Sequence, residues 1–216
     1  MKVTNASLKR NSFKTYYFEN EDINNKFNFP TLDYIEPQKV LNVVPFNVFK
    51  AKPDNNSWVH FFIDDYQFER VWQKPIQYIK LLKQAAGVIT TDFSMYVDMP
   101  KAVQIYNCYK NRALARYFQK EGIKIIPAVG WSDEESFKWC FDSIAYGSAV
   151  AVSSNGCYSN KDAKRNFLAG FNKMLEKINP CQVIFVGVVP DELKNLHIIE
   201  HFANFSEKFV NFRKKE

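Results

Sequence analysis

Four strand-like segments of this chain each end in a cluster of small or charged groups: VHFFIDD, GVITTDFS, IKIIPAVGWSD and SAVAVSSNGC. In parallel α/β sheets, open or closed, ligands sit beyond the carboxyl ends of the strands, so the repeat predicts a place as well as a fold. Between these segments the apolar residues recur at helical spacing. YQFERVWQKPIQYIKLLKQAAG carries Ile76, Ile79 and Leu82 on one flank, with Gly87 as the residue that turns the chain after the helix. DMPKAVQIYNCYKNRALARYFQKEG opens on Asp98 and Pro100, closes on Gly122, and predicts the longest helix. A shorter helix is expected from about Ser132, and Gly147 resets the chain into SAVAVSS. KDAKRNFLAGFNKMLEKIN, stopped by Pro180, precedes the strand QVIFVGVV.

Upstream, VLNVVPF (40–46) and WVHFFID (58–64) predict two strands joined by a Pro, Asp and Asn-rich turn. Residues 1–38 show no sustained period and read as an irregular aromatic arm, packed on the body through Tyr16, Tyr17, Phe18, Phe27 and Phe29, with 39–216 as a single α/β domain. Near-continuous Val and Ile runs separated by helices mean parallel strands covered on both faces. Six strands, and a seventh around His197–Ile199, fall short of eight. The expected fold is therefore a mostly parallel sheet of six to seven strands with βα repeats, an incomplete TIM-barrel-like arrangement, with an open doubly wound sheet as the alternative. Right-handed crossovers put the carboxyl ends of all strands on one rim in either case.

Composition narrows the setting. The chain of 216 residues is 46% hydrophobic, with 20 Phe and 11 Tyr, enough for one large aromatic core. No apolar stretch reaches membrane-spanning length and MKVTNASLKRNSFK has no signal-like apolar region, so an intracellular, cytoplasmic protein with no membrane partner is expected. Cys108, Cys140, Cys157 and Cys181 lack CxxC spacing, which suits reduced thiols. A net charge of +6 admits a nucleotide or nucleic-acid partner. The basic residues are dispersed, however, and the densest groups, Lys161, Lys164 and Arg165 and then Arg213, Lys214 and Lys215, read as a solubilising surface and tail.

At the expected rim, Asp64 and Asp65 end an otherwise apolar strand, and Asp92, with Thr91 and Ser94, ends the next. A carboxylate in such a place is costly unless paired, coordinated or solvated. These three aspartates are the candidate catalytic groups, as acid/base pair, nucleophile or magnesium ligands; helix capping is the structural reading of Asp64 and Asp65. Ser94, Arg112, Trp131, Ser153, Asn155, Gly156 and Cys157 are the candidate ligand-binding residues. Arg112 would clamp an anion, Trp131 would stack on a base or sugar, and the small residues of the 153–157 loop would let main-chain amides approach a phosphate. Asn107 and Asn111, on the Val103, Leu114 and Phe118 flank of the long helix, read as buried hydrogen-bonding groups. His197, Glu200 and His201 spell HxxEH, but without a third downstream ligand beyond Glu207 zinc is not expected. No residue is assigned to a metal, and magnesium remains an admissible cofactor.

The stretches SWVHFFIDDYQFERVW, DFSMYVDMPKAVQIYNCYKNRALARYFQKEGIKIIPAVGWSDEESFKWCFD and AVAVSSNGC resemble an uncharacterised family of unknown function carried by phages, prophages and plasmids of Gram-positive bacteria. The resemblance spans roughly Phe27 to Pro190. It implies a mobile-element accessory role and supplies no catalytic residue. Two functions are expected to compete. One is an enzyme, hydrolase or glycosylase-like, acting through carboxylates on a nucleotide, nucleoside or nucleic-acid sugar. The other is a non-catalytic viral binder that sequesters a host signalling nucleotide or inhibits a host defence protein.

Overall fold

The computed structural model describes residues 13–18, 23, 25–157 and 160–203. Arg213, Lys214, Lys215 and Glu207 lie outside the described residues, as does the side chain of Tyr16. Seven short strands are described: β1 (Val43–Pro45), β2 (Trp58–His60), β3 (Gly87–Ile89), β4 (Ile125–Ile126), β5 (Val150–Ser153), β6 (Val183–Val186) and β7 (Ile199–Phe202). The helices are α1 (Phe46–Ala51), α2 (Glu69–Gln73), α3 (Ile76–Leu82), α4 (Lys101–Lys120) and α5 (Lys161–Ile178), with 3-10 turns at Asp65–Gln67, Glu134–Lys138 and Asp191–Leu193 among the connections.

Every described pairing is parallel, but the strands form two sheets where one was expected. β1-β2-β3-β4 make a four-stranded sheet and β5-β6-β7 a three-stranded one, each in sequential order. Pro127 explains the break. It follows β4 directly and has no N–H to extend the ladder, so the chain touches β5 only through the bridge Ala128↔Ala151. There Val129 N–H donates to Ala151 O at 2.8 Å and Ala151 N–H to Pro127 O at 2.9 Å. Among the described residues no strand pairs β7 with β1, so no closed barrel is formed.

Helix boundaries follow local chemistry. Pro75 splits the helix expected after Asp65 into α2 and α3. Gly87 does not serve as a helix-ending turn; it opens β3, because a Cβ there would lie inside the contact distance of the Trp58 ring. α4 ends on Gly122 at φ +74°, with Ile123 N–H donating back to Phe118 O at 3.0 Å, a Schellman closure. The helix expected from about Ser132 is a 3-10 turn, with Asp133 accepting from Ser136 N–H. α5 is capped by the Asn160 side chain, which accepts from Ala163 N–H at 2.8 Å, and stops at the left-handed Asn179 before Pro180.

α4 is largely buried from Asn107 to Phe118, where the aromatic arm covers one flank, while Val103 and Tyr106 nearer its start are exposed. Tyr17 stacks on Tyr117 at 3.8 Å between ring centroids, Phe18 meets Tyr109 edge-on, and Lys120 Nζ donates to Tyr17 O at 2.7 Å. Phe29 is buried, and Phe27 packs edge-on against Trp139. A helix clamped this way is a stiff base for whatever its side chains hold. Among the described residues no helix is long and apolar enough to cross a membrane.

Candidate functional site

The parallel pairing of each sheet brings its carboxyl strand ends to a common edge, and two hydrogen bonds tie the exits together. Asp65, after β2, accepts from Ser94 Oγ at 2.9 Å and from Ser94 N–H at 3.1 Å, which joins the β2 and β3 exits. Asn155, after β5, donates from Nδ2 to Phe62 O at 3.2 Å, which joins the second sheet to the β2 exit. Asp65, Ser94, Asp92, Asn155 and Cys157 therefore surround one mouth. Asp92 lies within the electrostatic reach of Asp65, Arg112 and Cys157.

Asp92 is the perturbed group. Its residue keeps a partial opening to solvent, yet protein atoms crowd the carboxyl from all sides and no described residue donates a hydrogen bond to it. Burial, followed by the charge of Asp65, pushes its pKa from 3.8 up to about 7, against the opposing pull of Arg112. Gly130, beyond β4, makes the room: a Cβ there would stand 3.0 Å from Asp92 Oδ1. Next to it, Thr91 Oγ1 is buried without a hydrogen-bond partner.

The segment bearing Asp92 is held from α4. Asn111 accepts from Phe93 N–H at 2.8 Å and donates to Phe93 O at 3.4 Å, while Asn107 Nδ2 donates to Ser94 O at 2.7 Å. Between them, Lys110 is only 7% exposed, with Nζ 3.5 Å from the centroid of the Phe93 ring and 3.7 Å from Glu69 Oε2. Burial lowers its pKa, and the charges of Glu69 and Asp65 oppose that shift. Gln104 completes the row. Its Nε2 donates to Tyr96 O and Met99 O, both at 2.9 Å, and its Oε1 accepts from Ser132 Oγ at 2.6 Å. Asn107 and Asn111 were legible as buried hydrogen-bonding groups, whereas Lys110, Gln104 and Gly130 were missed. Polar residues at 104, 107, 110 and 111, repeating on one helical flank, were the available signal.

Other expected site residues take different places. Asp64 is exposed on the outer lip, where Oδ2 accepts from Gln67 Nε2 at 3.4 Å and makes no capping bond. Arg112 is 2% exposed and donates to Asp142 O, Ala128 O and Cys140 O at 3.1, 3.4 and 2.6 Å. Its donors are aimed at the main chain, which makes it a tether rather than an anion clamp. Trp131 stacks on Phe167 at 5.5 Å, lies against Gly170, and donates from Nε1 to Asn166 O at 3.2 Å. That ring packs α5 against the β4 exit and offers no stacking platform.

Three amides of the 153–157 loop are engaged within the protein. Ser154 N–H donates to Val186 O, Asn155 N–H to Ser153 Oγ and Cys157 N–H to Ser154 O, so the expected phosphate nest is not built from them. Gly156 adopts φ +78° to turn the loop. The Cys157 thiol is driven up to about 12 by burial and by the charge of Asp92, which keeps it a thiol at neutral pH. The exposed rings on these exit segments are Tyr66, 76% exposed and next to Asp65 in sequence, and Tyr96, 62% exposed and two residues beyond Ser94. Val97 and Val188, on the segments after β3 and β6, are also exposed.

Among the described residues, no group of three or more His, Cys, Asp or Glu is placed to hold a metal ion. The basic cluster on α5 is largely neutralised, since Lys164 pairs with Glu192 at 2.8 Å and Arg165 with Asp162 at 3.1 Å. Away from the mouth, a recess of about 390 Å³ opens beside the amino end of β4, lined by Asp33, Tyr34, Glu36, Gln119 and Lys124 among others.

Comparison with known proteins agrees with the resemblance. The domain of unknown function DUF4417 matches residues 21–204. The chain is similar to the Gene 1 protein of Mycobacterium phage L5, 38% identical over 133 residues, covering 62% of this chain and 58% of that one. It is also similar to the Gene 1 protein of Mycobacterium phage D29, 36% identical over 129 residues, covering 60% and 48%. The chain thus spans about half the length of these curated relatives. No solved structure matches.

Proposed function

We propose, for a chain that belongs to the DUF4417 family and has phage relatives, that the mouth beyond β2, β3 and β5 is an acid/base site for a sugar-bearing ligand: a nucleotide, a nucleoside or a nucleic-acid sugar. The observation that carries this reading is Asp92, an unpartnered carboxyl raised to about 7 beside Asp65. A group that titrates near neutrality can give and recover a proton at working pH. In hydrolysis of a glycosidic bond, Asp92 donates its proton to the leaving base or alcohol as the bond to the anomeric carbon breaks. Water attacks that carbon and passes its proton to Asp65. Asp65 then releases that proton to solvent, and Asp92 recovers one from solvent, which restores both groups.

The sequential strand order and the Ala128↔Ala151 bridge support reading the two sheets as one arc, the incomplete barrel, with the acids on its inner lip. As a phage accessory protein it would work in the host cytoplasm. Release of base from nucleosides, nucleotides and a short oligonucleotide, followed by chromatography, tests the reading. Turnover should fall as pH rises through about 7, where Asp92 loses its proton, and should vanish in Asp92→Asn and Asp65→Asn.

A second reading has its own support in the exposed Tyr66, Tyr96, Val97 and Val188 on the exit segments. Exposed apolar groups of this kind are used to hold partners, and a binder that captures a host signalling nucleotide or a host defence protein needs them but not the acids. Folded Asp65→Asn and Asp92→Asn variants that keep the full biological effect would overturn the catalytic reading in its favour.

A further inference from the structure

We infer that the mouth selects an uncharged, base-bearing ligand, a nucleoside, and turns away its phosphorylated counterpart. The inference rests on the reading of the mouth as a ligand site and narrows its substrate class. The whole chain carries +6, which on its own favours an anionic partner. The strand exits invert that balance. Segments 61–68, 90–100, 127–133, 154–157 and 187–190 contain Asp64, Asp65, Asp92, Asp98 and Asp133 and not one lysine or arginine. Three cations closest to the exits are already engaged, while Lys161 stands exposed at the start of α5. Arg112 is bound to three carbonyls, Lys110 lies against Phe93 and Glu69, and Lys101 pairs with Asp133 at 2.7 Å and Glu135 at 3.6 Å.

Phosphate recognition needs free donors or cations, and the Ser154, Asn155 and Cys157 amides of the 153–157 loop are already spent within the protein. What the mouth does provide is a hydrogen-bond acceptor without a donor, Asp92, and two exposed aromatic faces. The Asp65 to Ser94 bond fixes the loops that carry Tyr66 and Tyr96 to one another. A ribose hydroxyl or a base N–H supplies the missing donor, and a base face suits a tyrosine ring. A phosphate brought beside Asp65 and the enclosed Asp92 meets like charge. A loss of affinity on the order of tenfold or more is expected for the monophosphate.

Calorimetric titration of the full chain with adenosine and cytidine, and with their 5′-monophosphates, tests this at low salt. Nucleoside binding should exceed monophosphate binding by about tenfold or more, the gap should narrow as salt is added, and Tyr66→Ala with Tyr96→Ala should weaken the nucleoside without unfolding the protein. Monophosphates binding as tightly as nucleosides, or neither binding, would overturn the inference. The two readings fail separately: nucleosides that bind but are never cleaved sink the acid/base chemistry and leave the charge selection standing. Cleavage of monophosphates in preference to nucleosides does the reverse.

Discussion

Asp92 offers the sharpest quantitative test, because its carboxyl should make stability depend on pH in a direction opposite to that of a salt-bridged aspartate. Its pKa is 3.8 in the unfolded chain and about 7 in the fold, with burial as the main cause and Asp65 second. Below the lower value both states hold the proton and nothing is lost. Between the two values the unfolded chain releases the proton while the native state keeps it, so stability falls as pH rises, and above the upper value the full penalty applies. The gap corresponds to about 4 kcal/mol when Asp92 is fully ionised. Between about pH 5 and about pH 8 the share expressed is roughly 2–3 kcal/mol.

Replacing Asp92 by Asn keeps the shape and removes the titration. The amide carries its own fixed burial cost of about 1–3 kcal/mol, which cancels when one protein is compared with itself across pH. Urea unfolding of wild type and Asp92→Asn at a series of pH values should show their difference shifting by roughly 2–3 kcal/mol in favour of the variant as pH rises. The groups acting on Asp92 are Asp65 and Arg112, with the Cys157 and Cys108 thiols also within its field, and neither thiol ionises in this range because burial holds them at about 12 and about 11. A difference that stays flat across pH would refute the reasoning, and with it the enclosure of Asp92.

Three further outcomes follow from single contacts. In Gly130→Ala the new methyl meets Asp92 Oδ1 at 3.0 Å, so the Asp92 carboxyl, followed by carbon-detected NMR, should titrate above its wild-type value; an unmoved titration would show that the two do not touch. Gly170→Ala places a Cβ inside the Trp131 ring and should destabilise the fold by about 2–3 kcal/mol in thermal unfolding, whereas full tolerance would return Trp131 to the list of stacking residues. Asn111→Ala leaves the buried Phe93 N–H and C=O unpaired, so about 2 kcal/mol should be lost, base release should fall with it, and unchanged turnover would remove α4 from the site's support.

The strand and helix alternation was legible because Val and Ile runs and helical spacing both reflect burial, and the exits after β2, β3 and β5 are linked by the Asp65 bond to Ser94 and the Asn155 bond to Phe62 O. The division into two sheets was hidden in Pro127, whose missing N–H matters only once the neighbouring strand is known. Side-chain direction was the other blind spot. Arg112 and Trp131 have the chemistry of ligand-binding groups, but Arg112 sits where three carbonyls end and Trp131 where Gly170 leaves a ring-sized gap, and neither fact lies in their own neighbourhood of sequence. Lys110 failed in the opposite sense. A lysine on a long helix reads as solvated, and only the fold shows Phe93 and Glu69 against it.

The placement of Lys110 also explains how the mouth stays intact at its own expense. An ionised Asp92 and an orphaned Thr91 hydroxyl both favour relaxation of the β3 exit toward water. Relaxation would have to break the Asn111 pair with Phe93, the Asn107 bond to Ser94 and the Asp65 bonds to Ser94, and to lift Phe93 from beneath the Lys110 ammonium. Those contacts come from α4 and the β2 exit, and α4 is itself covered on one flank by the aromatic arm. The strain at Asp92 is therefore carried by elements distant from it in sequence. Loosening the arm, for example by Tyr17→Ala, should let the exit relax and bring the Asp92 titration back toward that of an ordinary aspartate. An Asp92 that titrates near 7 with the arm detached would show that the exit holds its own shape.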